Sequence, residues 1–198
     1  MTIFNPLLSK VVSKLNDRPV LKYVYQNQKN GEFVASDGQI MLIERNGSIP
    51  MFEFWHPETQ EPFLTSDGLT YPDYEKTLSD AEKTADKYTY NVSFNVDFVI
   101  VDNRYVIKRS DYNLILDFIG NSPKIDIPSY GYTPLIFSNL NKQKQAVILP
   151  LKVYPKDLYK KFWDVIDYDG IILATFNTFA EAEQFKILTC GIVRMRED

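Results

Sequence analysis

The sequence has one cysteine, one histidine and no long apolar run. A single cysteine, Cys190, excludes an internal disulfide framework and favours a reducing compartment. No stretch approaches the ~20 apolar residues that a membrane helix needs. The first fifteen residues mix polar and apolar types, unlike the unbroken apolar centre of a signal peptide. We therefore expect a cytoplasmic protein that does not span a membrane.

Motifs typical of catalysis are also missing. His56 is the only histidine, so neither a His-rich metal site nor a pair of catalytic histidines can form. The nucleotide-binding and serine-hydrolase motifs G-x-x-x-x-G-K-[ST], G-x-G-x-x-G and G-x-S-x-G do not occur. Cys190 has no histidine near it in sequence and is interpreted as a buried structural thiol. We expect no enzymatic activity and no cofactor.

One group of carboxylates keeps a metal site open as an alternative. Asp164, Asp167 and Asp169 are closely spaced near the end of an expected hairpin, where they could hold a divalent cation for a hydrolase. A solvated turn rich in aspartate explains the same residues more simply. We therefore predict no metal.

The residues that are present favour an α+β fold. The chain is 44% hydrophobic, which suffices for a packed core, and thirteen Tyr with thirteen Phe favour strands. Apolar periodicity predicts a helix over 6–15, with Asn5 as cap and Pro6 at its first position. Turn signals at Asn30-Gly31 and Asp37-Gly38 predict an antiparallel meander. Its strands are expected at 20–28, 32–36 and 39–45.

The middle of the chain predicts further short elements. A polar segment, 75–87, is an exposed helix or a loop, and a helix over 110–120 is expected to be capped by Ser110 and ended by Gly120. Pro155 marks a domain boundary, so we expect a domain over 1–153 and a small ββαβ appendage over 154–198. A capping box at 178–181 opens the helix of the appendage. The other predicted strands cover 91–101, 105–109, 124–130, 134–140 and 145–153.

Positive charge is concentrated in two helical regions. Residues 51–102 carry three Lys/Arg and eleven Asp/Glu, whereas residues 103–153 carry seven and three. Lysines on a helix face can contact phosphates without reading sequence, although an ordinary solvated helix face explains them more simply. The predicted DNA-facing residues are Lys10, Lys14, Lys108 and Arg109.

An apolar run around a proline suggests a peptide-binding groove. Residues 147–153, VILPLKV, are interpreted as a strand, and Pro150 inside it indicates a sheet edge. Leu149 and Leu151 beside it could bind an extended peptide. Packing of the same residues in the core is the alternative.

Four short motifs, in their order along the chain, resemble one domain of the bacterial sliding clamp, the β subunit of DNA polymerase III. They are Arg18-Pro19-Val20-Leu21, Ala35-Ser36-Asp37-Gly38, Tyr71-Pro72-Asp73-Tyr74 and the run 147–153. The resemblance covers residues 5–153. It implies two halves, each made of a helix followed by antiparallel strands, with the helices 6–15 and 110–120 facing DNA.

The family binds polymerases and repair proteins through a pocket that a short peptide motif enters. Carried over by position, the residues of this pocket are Pro72, Lys76, Thr77, Val147, Leu149, Pro150 and Leu151.

The chain departs from the family in size. A bacterial clamp subunit has three such domains and two subunits close a ring, whereas this chain has room for one. A ring would therefore require a homo-oligomer of this chain. The resemblance implies a non-enzymatic processivity or adaptor factor that associates with double-stranded DNA, with replication or repair proteins, or with both. The alternative is a protein-interaction module with no DNA role. Either could come from a phage or mobile element.

Overall fold

The computed structural model divides the chain into two compact units, Met1–Lys152 and Val153–Asp198. It describes residues 3–13, 18–46, 49–64, 68–83, 85–86, 92–94, 96–120, 123–128, 133–153, 155, 162–166, 169, 171–176, 182–186 and 192–196. Within these ranges no helix is long and apolar enough to cross a membrane. The structure is α+β with antiparallel sheets and few helices, as predicted.

An eight-stranded sheet forms the centre of the first unit, in the order β4-β1-β2-β3-β11-β10-β9-β5. All of its neighbouring strands are antiparallel. The predicted meander is confirmed in β1, β2 and β3, and glycines with positive φ, Gly31 and Gly38, stand in its two turns. The strands are β1 (Val24–Gln26), β2 (Phe33–Ser36), β3 (Ile40–Glu44), β4 (Phe54–Trp55), β5 (Ala85–Asp86), β9 (Lys124–Pro128), β10 (Leu135–Ser138) and β11 (Lys144–Ile148).

The prediction of an edge strand over 147–153 is wrong. The strand β11 ends at Ile148 and lies inside the sheet, paired with β3 on one side and β10 on the other. Beyond it the chain changes partner: the Leu149 amide donates to the Gln39 carbonyl at 3.0 Å, and the Leu151 amide donates to the Val106 carbonyl at 2.7 Å. Pro150, which has no N–H to donate, stands at the point of change.

A second, three-stranded sheet is formed by β6 (Val92–Phe94), β7 (Phe98–Val101) and β8 (Tyr105–Lys108). The single strand predicted over 91–101 is therefore two antiparallel strands. The chain turns between β7 and β8 at Asp102 and Asn103, and both residues have positive φ. Polar residues of this type tolerate that conformation better than apolar ones.

Side chains of the central sheet alternate between two buried clusters, one on each face. Ala35, Leu42 and Phe137 belong to the first cluster, which also contains buried residues of β7, β8 and the helix α2 (Arg109–Ile119). Val34 and Met41 belong to the second, together with the buried side of the helix α1 (Tyr74–Lys83). The sheet is thus covered on both faces.

The first predicted helix, 6–15, is a shorter 3₁₀ helix, Pro6–Lys10. Its predicted cap is confirmed, since Asn5 Oδ1 accepts a 3.0 Å hydrogen bond from the Leu7 amide. The helix stops because the chain turns back after it. The Ser13 amide then donates to the Leu21 carbonyl at 2.8 Å. Residues 14–17, including Lys14, lie outside the described residues.

The other two helices match their predictions more closely. The segment 75–87 was predicted to be an exposed helix or a loop; in the structure α1 makes it helical as far as Lys83. α2 ends at Gly120, as predicted, with φ of +111°. Its N-cap is Lys108 rather than Ser110, because Lys108 has extended backbone angles while Ser110 is already helical. The Ser110 hydroxyl instead donates to Asp111 Oδ1 at 3.2 Å.

The second unit contains a three-stranded antiparallel sheet in the order β13-β12-β14. Its strands are β12 (Phe162–Ile166), β13 (Ile172–Phe176) and β14 (Ile192–Arg196), and a helical segment covers 182–186. The predicted capping box at 178–181 and Cys190 lie outside the described residues. The ββαβ appendage and the division of the larger unit into two halves stay predictions.

Candidate peptide-binding site

An apolar cavity of about 240 Å³ opens beside the second cluster of the central sheet. We call it the apolar cavity. Its walls come from five segments far apart in the chain: the 3₁₀ helix Pro19–Lys22 with the residue before it, the β2–β3 turn, the start of α1, the residue before β10, and the end of β11. Its lining residues are Arg18, Leu21, Ser36, Gly38, Gln39, Ile40, Met41, Tyr71, Pro72, Tyr74, Thr77, Pro134, Val147 and Leu149.

Strand register places the inner wall of this cavity. Met41 of β3 and Val147 of β11 are direct partners across the antiparallel pair, so both side chains point to the same face. Both are buried, together with Leu21 and Tyr71 of the same cluster. Leu149 follows β11 and is 42% exposed, at the mouth of the cavity. The cavity therefore has a fixed apolar wall and an accessible apolar rim.

The β2–β3 turn leaves space for the guanidinium of Arg18 at the rim of the apolar cavity. Gly38 has φ of +92°, and a Cβ at this position would collide with the guanidinium of Arg18. Ser36 and Asp37 hold the turn: Ser36 Oγ accepts from the Gly38 amide at 3.0 Å, and Asp37 Oδ1 accepts from the Ile40 amide at 2.8 Å. Of the described residues that line the cavity, Arg18 alone carries a charge. Glycine thus leaves room for a cation at the mouth.

The N-terminal end of α1 forms another wall. Asp73 Oδ1 accepts a 2.9 Å hydrogen bond from the Lys76 amide, which caps the helix. Pro72 and Thr77 line the apolar cavity from this side. Lys76, one residue before Thr77, is exposed and is not part of the lining. A helical step of one residue turns the side chain by ~100°, which explains the difference.

Tyrosine hydroxyls behind this wall differ in their partners. The Tyr74 hydroxyl donates to Glu32 Oε2, and that hydrogen bond together with burial raises its pKa, burial being the larger cause. The Tyr71 hydroxyl is buried without a hydrogen-bond partner among the residues that the structure describes. Burial also raises the pKa of Tyr71. Both phenols are neutral at physiological pH.

The structure brings together four of the seven residues predicted for the groove: Pro72, Thr77, Val147 and Leu149. Lys76 points elsewhere, Pro150 is buried, and Leu151 pairs with Val106 of the small sheet.

Sequence reasoning left several lining residues out of the groove. Arg18, Leu21 and Gly38 stand in two of the motifs that carried the family resemblance, so a signal for them existed. Tyr71 stands in a third of these motifs, whereas Met41 could have been added only once its register with Val147 was known.

Positive residues predicted to face DNA lie on the other side of the sheet. Lys10 is exposed at the end of a 3₁₀ helix whose Leu8 belongs to the first cluster, and Lys108 and Arg109 are exposed at the start of α2. The Arg109 guanidinium lies 5.8 Å from the ring centroid of Phe94. Close by, burial raises the pKa of Asp111, the Ser110 hydroxyl and the charge of Lys108 partly offset this, and the charge of Asp37 adds to it. The surface is therefore mixed in charge.

Most of the alternative metal site falls outside the described residues. The side chain of Asp164 and the whole of Asp167 lie outside the described part of the chain. Across the described ranges, three or more His, Cys, Asp or Glu side chains do not come together in a way that could hold a metal ion.

The chain is similar to solved structures of bacterial sliding clamps. The sliding clamp (DNA polymerase III subunit beta) of Bartonella birtlesii, solved with griselimycin, is 13% identical, with 75% of this chain and 64% of that one covered and a TM-score of 0.47. The Borrelia burgdorferi protein is also 13% identical, with 75% and 61% covered and a TM-score of 0.47. The Bacillus subtilis clamp is 12% identical, with 75% and 62% covered and a TM-score of 0.42.

The chain thus spans less than two thirds of the length of these three clamps. No protein-family model matches it, and no curated protein does.

Proposed function

We propose that this chain is a non-enzymatic, sliding-clamp-like adaptor that binds short apolar segments of replication or repair proteins in the apolar cavity. One observation carries the proposal: residues from five separate segments line one apolar cavity with an exposed leucine, Leu149, at its mouth. The clamp-like role and the class of partner are inferred from the resemblance of the four short motifs to a sliding-clamp domain.

The chemistry of the cavity favours side chains over a cofactor. Its 240 Å³ is below the ~300–1,000 Å³ that hold drug-sized ligands, so it suits one or two apolar side chains. Apolar walls give affinity by removing such side chains from water. Arg18 and the polar groups of Ser36, Gln39 and Thr77 can orient the peptide backbone.

Peptide binding can be tested with a defined probe set. The set consists of acetylated, fluorescein-labelled hexapeptides that carry two leucines, or a leucine and a phenylalanine, in a Gly/Ser background, titrated by fluorescence polarisation. We expect Leu149→Asp to weaken binding about tenfold, because its carboxylate would be desolvated by the apolar ligand. The matched control is Leu140→Asp, at a leucine that is 98% exposed in the β10–β11 turn. Equal binding by both variants, or no binding of any hexapeptide to the parent chain, would remove the proposal.

Association with double-stranded DNA is the second candidate. Lys10, Lys108 and Arg109 are exposed on elements that cover the same face of the sheet, opposite the apolar cavity. Contacts from such residues to phosphates give binding without sequence specificity and with strong salt dependence. The alternative without a DNA role is supported by Asp111 and Asp117, which place negative charge on α2 itself.

A titration with a labelled duplex at several salt concentrations separates these alternatives. We expect Lys10→Glu with Lys108→Glu to lower the slope of log affinity against log salt by about 2, since two phosphate contacts are lost. Lys76→Glu, at an exposed lysine on the opposite helix, is the control. A parent chain that ignores the duplex at low salt would favour the protein-interaction module. Light scattering on the same samples would detect the homo-oligomer that a ring requires.

A further inference from the structure

A second cavity, of about 270 Å³, adjoins the apolar cavity at the Tyr71–Tyr74 segment. We call it the acidic cavity. The two cavities share Tyr71, Pro72 and Tyr74, so this segment forms a wall of both. The residues that line the acidic cavity are Tyr25, Asn27, Gln28, Lys29, Glu53, Tyr71, Pro72, Asp73, Tyr74 and Glu75.

Negative charge dominates this second cavity. Glu53, Asp73 and Glu75 line it against a single cation, Lys29. The three carboxylates all belong to the acidic stretch of the sequence, residues 51–102. Burial raises the pKa of Tyr25, and the charges of Glu53 and Glu75 raise it further. The negative charges of Glu53 and Glu75 are therefore felt at Tyr25, in the wall of the cavity.

The walls themselves are aromatic. The rings of Tyr25 and Tyr71 are stacked, with centroids 4.6 Å apart and planes 9° from parallel, and Tyr74 meets Tyr25 edge to face at 6.2 Å. Tyrosine rings attract cations through the negative potential of their faces, and nearby carboxylates add to that attraction. An ammonium or guanidinium group on a flexible apolar stem is the ligand that suits such walls.

The Tyr71 hydroxyl gives an independent indication of a missing donor. Tyr71 is only 8% exposed, and its hydroxyl has no hydrogen-bond partner anywhere in the described ranges. A buried polar atom left without a partner costs about 1–3 kcal/mol, so such atoms are uncommon in folded proteins. Tyr71 lines the acidic cavity, and a movement of its ring on binding would bring this buried oxygen within reach of an N–H of a bound cation.

A purely structural explanation covers part of this arrangement. Asp73 caps α1, and Glu75 accepts a 3.0 Å hydrogen bond from Asn27 Nδ2 in the first turn, where negative charge stabilises a helix. Neither capping nor the preference of a first helical turn for negative charge explains Glu53, because it precedes β4 and is not on the helix. The helix also gives no reason for the Tyr71 hydroxyl to lack a partner.

We propose that the acidic cavity binds the lysine or arginine side chain of the same partner segment whose apolar side chains occupy the apolar cavity. This inference rests on the proposed function, and it deepens it by specifying the partner: a short segment that combines adjacent apolar residues with one basic residue. Pro72, on the shared wall, would lie under the peptide between the two side chains.

Paired peptides test the inference. Each acetylated hexapeptide carries two leucines and, at every other position in turn, either lysine or norleucine, which has the same stem without the charge. At low salt we expect lysine to bind about two- to fivefold more tightly than norleucine for at least one spacing. The difference should shrink as salt is raised. Glu53→Gln with Glu75→Gln should abolish it while leaving the affinity for the norleucine peptide unchanged; Glu61→Gln, outside the cavity, should change neither.

Outcomes for the two proposals are distinguishable. If norleucine peptides bind and Leu149→Asp weakens them, but lysine gives no gain at any spacing, the peptide-binding function stands and the acidic cavity has no role in it. The same conclusion follows if the gain from lysine survives the double variant. If neither peptide series binds the parent chain, both proposals fall together. A gain from lysine that disappears only in the double variant supports both.

Discussion

The Tyr74 hydroxyl donates a 2.7 Å hydrogen bond to Oε2 of Glu32, a carboxylate that lies 42 residues earlier in the chain. The same hydroxyl accepts from Asn27 Nδ2 at 2.6 Å, and Glu32 also forms an ion pair with Arg45. These bonds tie the first residue of α1 to the β1–β2 hairpin. They also hold in place the wall that the apolar and acidic cavities share.

Removing this hydroxyl should destabilise the fold. We expect Tyr74→Phe to lower the free energy of unfolding by about 1–3 kcal/mol, because a buried carboxylate and an amide each lose a partner. Tyr71→Phe is the matched control: its hydroxyl has no partner among the described residues, so we expect no loss or a small gain. Urea unfolding of both variants would check this, and equal losses would contradict it.

A methyl group at Gly38 should alter peptide binding in the apolar cavity and lower the stability only modestly. Gly38→Ala adds strain at φ of +92° and displaces the Arg18 guanidinium, which can move at little cost. Gly68→Ala carries similar strain, at φ of +83°, but meets no atom within 4 Å. We expect both to lose about 1 kcal/mol of stability, and only Gly38→Ala to alter hexapeptide affinity. Identical affinities in the two variants would show that the position of Arg18 does not matter for binding.

The first cluster should be sensitive to truncation at the sheet. Phe137 is fully buried in β10 and meets Tyr112 of α2 edge to face at 6.0 Å. We expect Phe137→Ala to cost about 3–5 kcal/mol of unfolding free energy, from lost burial and the cavity left behind. Leu140→Ala, two residues after β10, should stay within about 0.5 kcal/mol of the parent. Chemical denaturation of the two variants measures the contrast.

Alkaline pH should destabilise the chain through its buried tyrosines. The pKa values of Tyr25, Tyr71 and Tyr74 are raised above the ordinary value of 10.0, with burial as the largest cause. A group with a higher pKa in the folded state binds its proton more tightly there. Its contribution is therefore fully present below pH 10 and is lost as the pH rises towards the folded-state pKa. The urea midpoint should fall above pH 10, and Tyr71→Phe should reduce that fall; a flat profile would contradict the assignment.

Local signals in the sequence were sufficient for much of the fold. The Asp37-Gly38 turn, the glycine that ends α2 and the Asn5 cap were all predicted correctly, because each depends on a few neighbouring residues. The amphipathic pattern over 6–15 was misleading, since a 3₁₀ helix followed by a turn also buries Leu8 and Val11 in one cluster. Hydrophobic spacing alone does not distinguish these two conformations.

The pairing of strands distant in sequence limited how many residues of the site could be predicted. Pro72, Val147 and Leu149 could be placed because they stand in short motifs, whereas Met41 joins them only through its register with Val147, more than a hundred positions later. The run 147–153 appeared continuous in sequence, yet Leu149 and Leu151 bond to different sheets. Nothing local marks the acidic cavity, because Tyr25, Glu53 and Glu75 come from three separate segments.

The pairing of β3 with β11 has a consequence for how the protein is made. It joins the two halves of the central sheet, and contacts across it link residues 100 positions apart, such as Arg45 and Gln145. During synthesis the meander emerges from the ribosome long before β11 does, so β3 has an unpaired edge throughout that interval. Such an edge can pair with another nascent chain. Translation speed between the two strands thus becomes a variable in the yield of folded protein.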